Sequence, residues 1–324
     1  MMQENVIRKF VDNILLNLGT ISSSGLYNGE AGVALALFEV AKYLQDENIE
    51  EKAFDLLQKS LVRPPDDYGF ENGLSGIGYV LIYSIRNKFI DADFNEIFKE
   101  RYEEIVRNFE DIDKQPDKLL NSLKVIYFLS VLEDIQYEDM RIRSIIDKIF
   151  RGIELYLSLQ FFDWKDVCYI NNKPDVLQIY ETYLKLVDFS GYTCFSNSLI
   201  NSYIQLYREG RIVSSLPVGY YLHRIMKQKG ITEYDDVIND NLNYGLININ
   251  PEFYFLGEKL NLARIVENLD ENSKIDRSLI DINLLGGSLD KIKRMICPGF
   301  PLCSYQHGLA RYLIFCLNKN SPLL

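Results

Sequence analysis

An all-α protein built from degenerate helix-pair repeats is the fold class this sequence predicts, and three observations carry that expectation. A phrase recurs: Gly25-Leu26-Tyr27-Asn28-Gly29-Glu30-Ala31-Gly32 returns as Gly69-Phe70-Glu71-Asn72-Gly73-Leu74-Ser75-Gly76, each glycine meeting its counterpart 44 residues later. Apolar runs follow the copies and alternate with segments that mix charged and apolar residues at helical spacing. Strand signals, meaning period-two alternation bounded by Asn-Gly or Asp-Gly turns, are sparse.

Taken in order, residues 33–44 are apolar except for Glu39 and Lys42, and read as a helix packed on most of its circumference. Residues 50–62 and 94–109 read as helices with one solvated face. Leu119–Leu132 is mostly apolar, Asp134–Gln160 is amphipathic, and 174–189 is a further helical segment. Weaker copies of the phrase fall at Lys118–Val125, with Ser122 for the second glycine, and at Cys194–Asn201, with Ser198 in that place. Residues 208–283 read as loops with short apolar pieces, because Asn and Asp cluster at 238–250 and 268–276, and fit one or two eroded repeats better than a lid or substrate-facing insertion. An eroded copy is expected at Leu284-Leu285-Gly286-Gly287. The last copy is Ser304-Tyr305-Gln306-His307-Gly308-Leu309-Ala310-Arg311, where Gly308 takes the role of Gly73 and the apolar run Tyr312–Leu317 follows. Gly25, Gly29, Gly32, Gly69, Gly73, Gly76 and Gly308 are thus expected to be structural, letting the chain turn sharply and a helix start press against its neighbour.

Composition narrows the class. The 324 residues are 47% hydrophobic and 25% charged, enough for a sizeable core, and a repeat array of this length reads as one domain over 1–324. The net charge of −11, with acid and base interspersed, argues against nucleic-acid partners. The sequence beginning Met1-Met2-Gln3-Glu4 has no long apolar leader, and no later stretch is apolar enough for a membrane span, so a cytoplasmic location is expected. Cys168, Cys194, Cys297, Cys303 and Cys316 are odd in number and irregularly spaced, which fits buried thiols better than a disulfide framework.

Helix pairs whose inner members open with Gly-Leu/Phe-x-x-Gly-x-Ala/Ser-Gly resemble the lanthionine synthetase C-like (LanC-like) family of lanthipeptide biosynthesis. The second copy, Gly73-Leu74-Ser75-Gly76-Ile77-Gly78-Tyr79 continuing to Asp91, is the most telling. The resemblance implies an α/α toroid, with inner and outer helices alternating around a closed ring and the glycine turns gathered at one end. It also implies peptide modification, in which a cysteine thiol adds to a dehydrated serine or threonine to form a thioether. Zinc on two cysteines and one histidine would activate that thiol.

The sequence departs from that ligand set, because the family's Cys-His-Gly is replaced by Gln306-His307-Gly308. Cys297, Cys303 and His307, spaced Cys-x5-Cys-x3-His, are the remaining candidates for zinc, set against a reading as two buried thiols and a core histidine. His223, the only other histidine, reads as structural, and Asp66-Asp67 and Asp235-Asp236 read as turn or cap residues. Tyr169, Tyr180, Tyr183 and Tyr192 crowd one region as core or as a peptide-binding wall. Trp164 carries no motif. Three functions follow: a zinc-dependent thioether-forming cyclase of the LanC-like kind, a metal-free toroid that binds peptides or serves as a scaffold for a peptide-modifying partner, and a carbohydrate-active toroid, which needs two opposed carboxylates.

Overall fold

Helix is the only regular backbone structure, apart from short 3-10 turns, among the residues that the computed structural model describes: 3–135, 137, 139–164, 174–247, 254–269 and 288–318. The helices in chain order are α1 (Glu4–Leu16), α2 (Glu30–Leu44), α3 (Glu47–Val62), α4 (Leu74–Arg86), α5 (Phe94–Phe109), α6 (Pro116–Ser122), α7 (Val125–Asp134) and α8 (Met140–Trp164). They continue with α9 (Pro174–Ser190), α10 (Asn197–Arg208), α11 (Leu216–Lys229), α12 (Asp235–Ile247), α13 (Leu256–Asn268), α14 (Leu289–Arg294) and α15 (Leu309–Leu317).

Two rows of helices emerge from the packing. In one, α2 packs on α4, α4 on α7, α7 on α9, α9 on α11, α11 on α13, α13 on α15, and α15 on α2. Of these, α2, α4, α7 and α15 are mostly apolar, and α2 and α4 are buried around nearly their whole circumference. The other row lies outside them: α3 on α2, α5 on α4, α8 on α7 and α9, α10 on α8, and α12 on α11. Its members present one apolar stripe, as with Phe94, Phe98, Tyr102, Ile105 and Phe109 on α5. The buried residues of both rows form a hydrophobic cluster reaching from Ile7 to Phe315.

Three inner helices start differently from their outer neighbours. Outer helices α3, α5 and α10 carry side-chain caps: Asp46 accepts from the amides of Asn48 and Ile49, Asp93 from Asn95 and Glu96, and Ser196 from Leu199. Inner helices α2, α4 and α15 start instead at Gly29, Gly73 and Gly308, with no side-chain cap. Their first amides bond to the preceding loop, Glu30 N to Ser23 O, Leu74 N to Asp67 O and Leu309 N to Leu302 O.

The three glycines share one environment. A β-carbon at Gly73 would stand 2.5 Å from the Gly69 carbonyl oxygen and 2.6 Å from that of Asp67, and one at Gly308 would stand 2.5 Å from the Leu302 oxygen. Gly29 faces Gly25 and Ser23 in the same way. Their φ angles are −131°, −111° and −110°, so it is space and not a left-handed backbone that requires glycine. At these three positions glycine serves the close approach of a helix start to the preceding loop. Gly69 is the least demanding of the set, its nearest neighbour being the Asp67 side chain at 3.2 Å.

Three further expectations change. Among the described residues of 208–283, the helices α11, α12 and α13 stand in place of the expected loops. Asn241, in the Asn-rich stretch, is fully buried; its Oδ1 accepts from Tyr203 Oη and Ser215 N, both at 3.0 Å, and its Nδ2 donates to Val237 O. The copy at Cys194–Asn201 starts an outer helix, α10, and Ser196 rather than Ser198 caps it. The inner helix of that region starts later, at Leu216, with Ser215 as its cap. The Lys118–Val125 copy is displaced too, α7 beginning after Lys124 and not after Ser122.

Candidate functional site

The glycine-rich turns come together because each is bonded to the next. Tyr27 N donates to Glu71 O at 2.6 Å, and Tyr27 O accepts from the amides of Tyr305 and Gln306, both at 2.9 Å. Asn28 N donates to Asn72 Oδ1 at 3.1 Å, and Asn28 Nδ2 donates to Gln306 Oε1 at 3.0 Å. The turn before α2 is thereby tied to the turns before α4 and before α15. Gly32 and Gly76 allow this approach: the Leu26 side chain packs on Gly76, and the Tyr305 side chain packs in the same manner on Gly32.

Charged side chains cluster at this end of the inner helices. Lys124 Nζ pairs with Glu71 Oε1 at 2.5 Å and lies 5.1 Å from the centre of the Tyr27 ring. Beside them, Asp67, Glu71, Asn72, Asn121, Lys124, Gln178 and Thr182 supply the polar lining of a cavity of about 500 Å³. One turn of α9 further on are Glu181 and Lys185, both only partly accessible. Burial raises the Glu181 carboxyl to about 7, with Glu258 pushing the same way and Lys185 opposing. Burial also lowers the Lys185 amine to about 7, helped by Arg311 and Lys124 and opposed by Glu181. His307 is lowered as well, by burial first and then by Arg311. Glu181, Lys185, Glu258, His307 and Arg311 therefore sense one another across α9, α13 and α15.

The individual positions of the cluster are fixed by the fold. Glu258 Oε2 accepts from Phe255 N at 2.8 Å and so caps α13. Arg311, 3% exposed, donates from Nη2 to Asn261 Oδ1 at 2.6 Å and from Nη1 to Gln306 O at 3.3 Å. His307 packs edge-on against Phe300, ring centres 4.7 Å apart, and a β-carbon at Gly257 would collide with it.

Cys297, Cys303 and His307 do not converge. Cys303, fully buried, points its thiol at Asn17 O (3.5 Å) and Thr20 Oγ1 (3.9 Å), and burial raises that thiol above its ordinary pKa. The Cys297 thiol points to the Pro298 carbonyl. Among the described residues no group of three or more His, Cys, Asp or Glu is placed to hold a metal ion. With Gln306 hydrogen-bonded to Asn28 where the resemblance would put a thiolate, the donor set does not fit zinc.

The other singled-out residues have structural surroundings. Asp67 Oδ1 accepts from Gly69 N at 2.8 Å, and Asp236, in the first turn of α12, pairs with Arg208 at 2.9 Å. His223 lies part-exposed on α11. Tyr180, Tyr183 and Tyr192 are buried and pack on Phe161, Phe150 and Tyr203, so they form core and not a binding wall. Tyr169, Cys168 and Leu284–Gly287 lie outside the described residues. Sequence reasoning missed Lys124, Glu181, Lys185 and Arg311; the available signal was Arg311, which stands where the first two copies have Gly32 and Gly76.

Residues 2–151 match the sequence model of a family described as Lanthionine synthetase C-like protein. Searches of curated proteins and of solved structures found no match. Among the described residues no helix is long and apolar enough to cross a membrane.

Proposed function

From the premise that residues 2–151 of this chain are lanthionine synthetase C-like, we propose that the protein is a divergent, metal-free α/α toroid, one domain over 1–324, that binds a peptide across the face where its glycine turns gather. The packing of α15 on α2, through the same contact that joins the first repeat to the second, supports the closed ring. Closing a helix-pair array removes the two exposed ends that an open one would have to cover.

The observation that carries the metal-free reading is the use of Gln306-His307. In place of metal ligation, the Gln306 side chain holds Asn28 and its amide holds Tyr27, while Cys303 is turned away toward Asn17 and Thr20. What remains on this face suits recognition of a polar, flexible chain. Amide, hydroxyl and charged groups of Asn72, Asn121, Gln178, Thr182, Lys124 and Glu71 surround a cavity large enough for a few residues of extended peptide. Its place in a peptide-modification pathway is that of a partner which presents or retains the peptide for another enzyme.

Photo-crosslinking with mixed-sequence peptides tests this. Crosslinks are expected on residues 67–72, 121–124 and 178–182, unchanged by prior treatment with a chelator. Loss of labelling after chelation supports instead the zinc-dependent cyclase, which would need Cys303 to leave its buried partners. Labelling spread evenly over the surface contradicts peptide binding at this face.

A further inference from the structure

Arg311 is out of place twice over. By repeat position it replaces a glycine, and the counterpart glycines Gly32 and Gly76 are each filled by a side chain of the neighbouring turn. By chemistry it is a guanidinium buried to 3% exposure whose acceptors, Gln306 O and Asn261 Oδ1, are both neutral. Its Nε–H has no acceptor, and no carboxylate among the described residues pairs with it. A buried charge without a counter-ion costs several kcal/mol, so its presence in a packed inner helix calls for an anion that the described residues do not supply.

The surroundings point the same way. Arg311 reaches back to Gln306 of the preceding turn and across to Asn261 of α13, its charge lowers Lys185 of α9 and His307 of that turn, and His307 Nδ1 is likewise buried without a partner. Arg311 itself lies in the first turn of α15, whose N-terminus has no side-chain cap and adds positive potential. Glu181 and Glu258 stand at the edge of the cluster. They disfavour a dianion such as phosphate and leave room for a single negative charge.

We propose that Arg311, with His307 and Lys185 beside it, docks a carboxylate of the bound peptide, either its free C-terminus or an acidic side chain. This rests on the peptide-binding reading above and adds the chemical class that the face selects. The guanidinium offers Nε–H to the carboxylate while Asn261 and the Gln306 carbonyl hold its orientation, an arrangement suited to a charge-assisted hydrogen bond.

The experiment compares calorimetric binding of acetyl-tetra-alanine with a free C-terminus, its C-terminal amide, an amidated variant carrying one glutamate, and inorganic phosphate. Wild-type protein is expected to bind the two carboxylate peptides over the plain amide. Arg311→Met is expected to weaken the carboxylate peptides by about tenfold or more, with Arg311→Lys in between. Arg311→Gly, the residue the repeat itself carries, serves as the variant that keeps the fold if methionine does not. A response to the free C-terminus alone, or to the glutamate alone, assigns the source of the carboxylate. Equal affinity for the plain amide, unchanged affinity in the Arg311 variants, or preference for phosphate overturns the proposal while peptide binding stands. No binding of any peptide overturns both.

Discussion

At the residue scale, the glycines that matter are distinguished by what surrounds them and not by their backbone angles. Gly73→Ala puts a methyl group 2.5 Å from a backbone oxygen that cannot swing away, whereas Gly69→Ala meets only the end of the Asp67 side chain at 3.2 Å. Denaturant unfolding should show Gly73→Ala destabilised by about 2 kcal/mol or more and Gly69→Ala by well under half of that. Glu181 and Lys185 give a second residue-scale prediction. A carboxyl raised in the fold binds more protons than in the unfolded chain, so its contribution is present below the ordinary carboxylate range and is lost as pH rises toward about 7. An amine lowered in the fold binds fewer protons, so its contribution is lost as pH falls through about 7 and grows above it. Stability against pH should therefore dip near neutrality, with Glu181→Gln flattening the acid side and Lys185→Met the alkaline side. A profile that is identical in the wild type and both variants would remove this pair from the account.

At the element scale, the Asn241 side chain on α12 joins α10 to the start of α11. Asn241→Leu keeps the volume but leaves Tyr203 Oη and Ser215 N without an acceptor, and should cost about 2–4 kcal/mol, read from chemical denaturation. A loss below about 1 kcal/mol would mean that α10, α11 and α12 do not depend on this junction. The same residue explains which elements were legible in the sequence. Helices α2, α3 and α5 could be read almost to their ends because apolar residues recur there at helical spacing. The region of α11 to α13 could not, because asparagines normally belong to turns, and only the fold reveals that Asn241 faces inward to satisfy buried groups. The Cys194–Asn201 copy misled for a related reason: a serine ahead of an apolar run marks a helix start without saying which row the helix joins. In the candidate site, the turn residues 304–308 were legible as a repeat copy, but Glu181 and Lys185 read from sequence as any charged pair on a helix. Their partners on α13 and α15 are brought to them only by long-range packing.

At the scale of the whole molecule, the last inner helix and the first share one contact surface. Tyr305 on Gly32 repeats what Leu26 on Gly76 does between adjacent repeats, and Tyr27 O bridges to Tyr305 and Gln306. Gly32→Val should therefore speed hydrogen exchange in α15 as well as in α2, although the two helices lie near opposite ends of the sequence. Exchange that changes in α2 alone would indicate an array whose ends stability does not couple. The proposed closed ring whose peptide face works without a metal is tested most directly by the zinc content of protein purified, loaded with excess zinc and desalted, beside Cys303→Ala treated in parallel. Substoichiometric zinc that is the same in both proteins is the result this account predicts; one zinc per chain in the wild type, lost in Cys303→Ala, would contradict it.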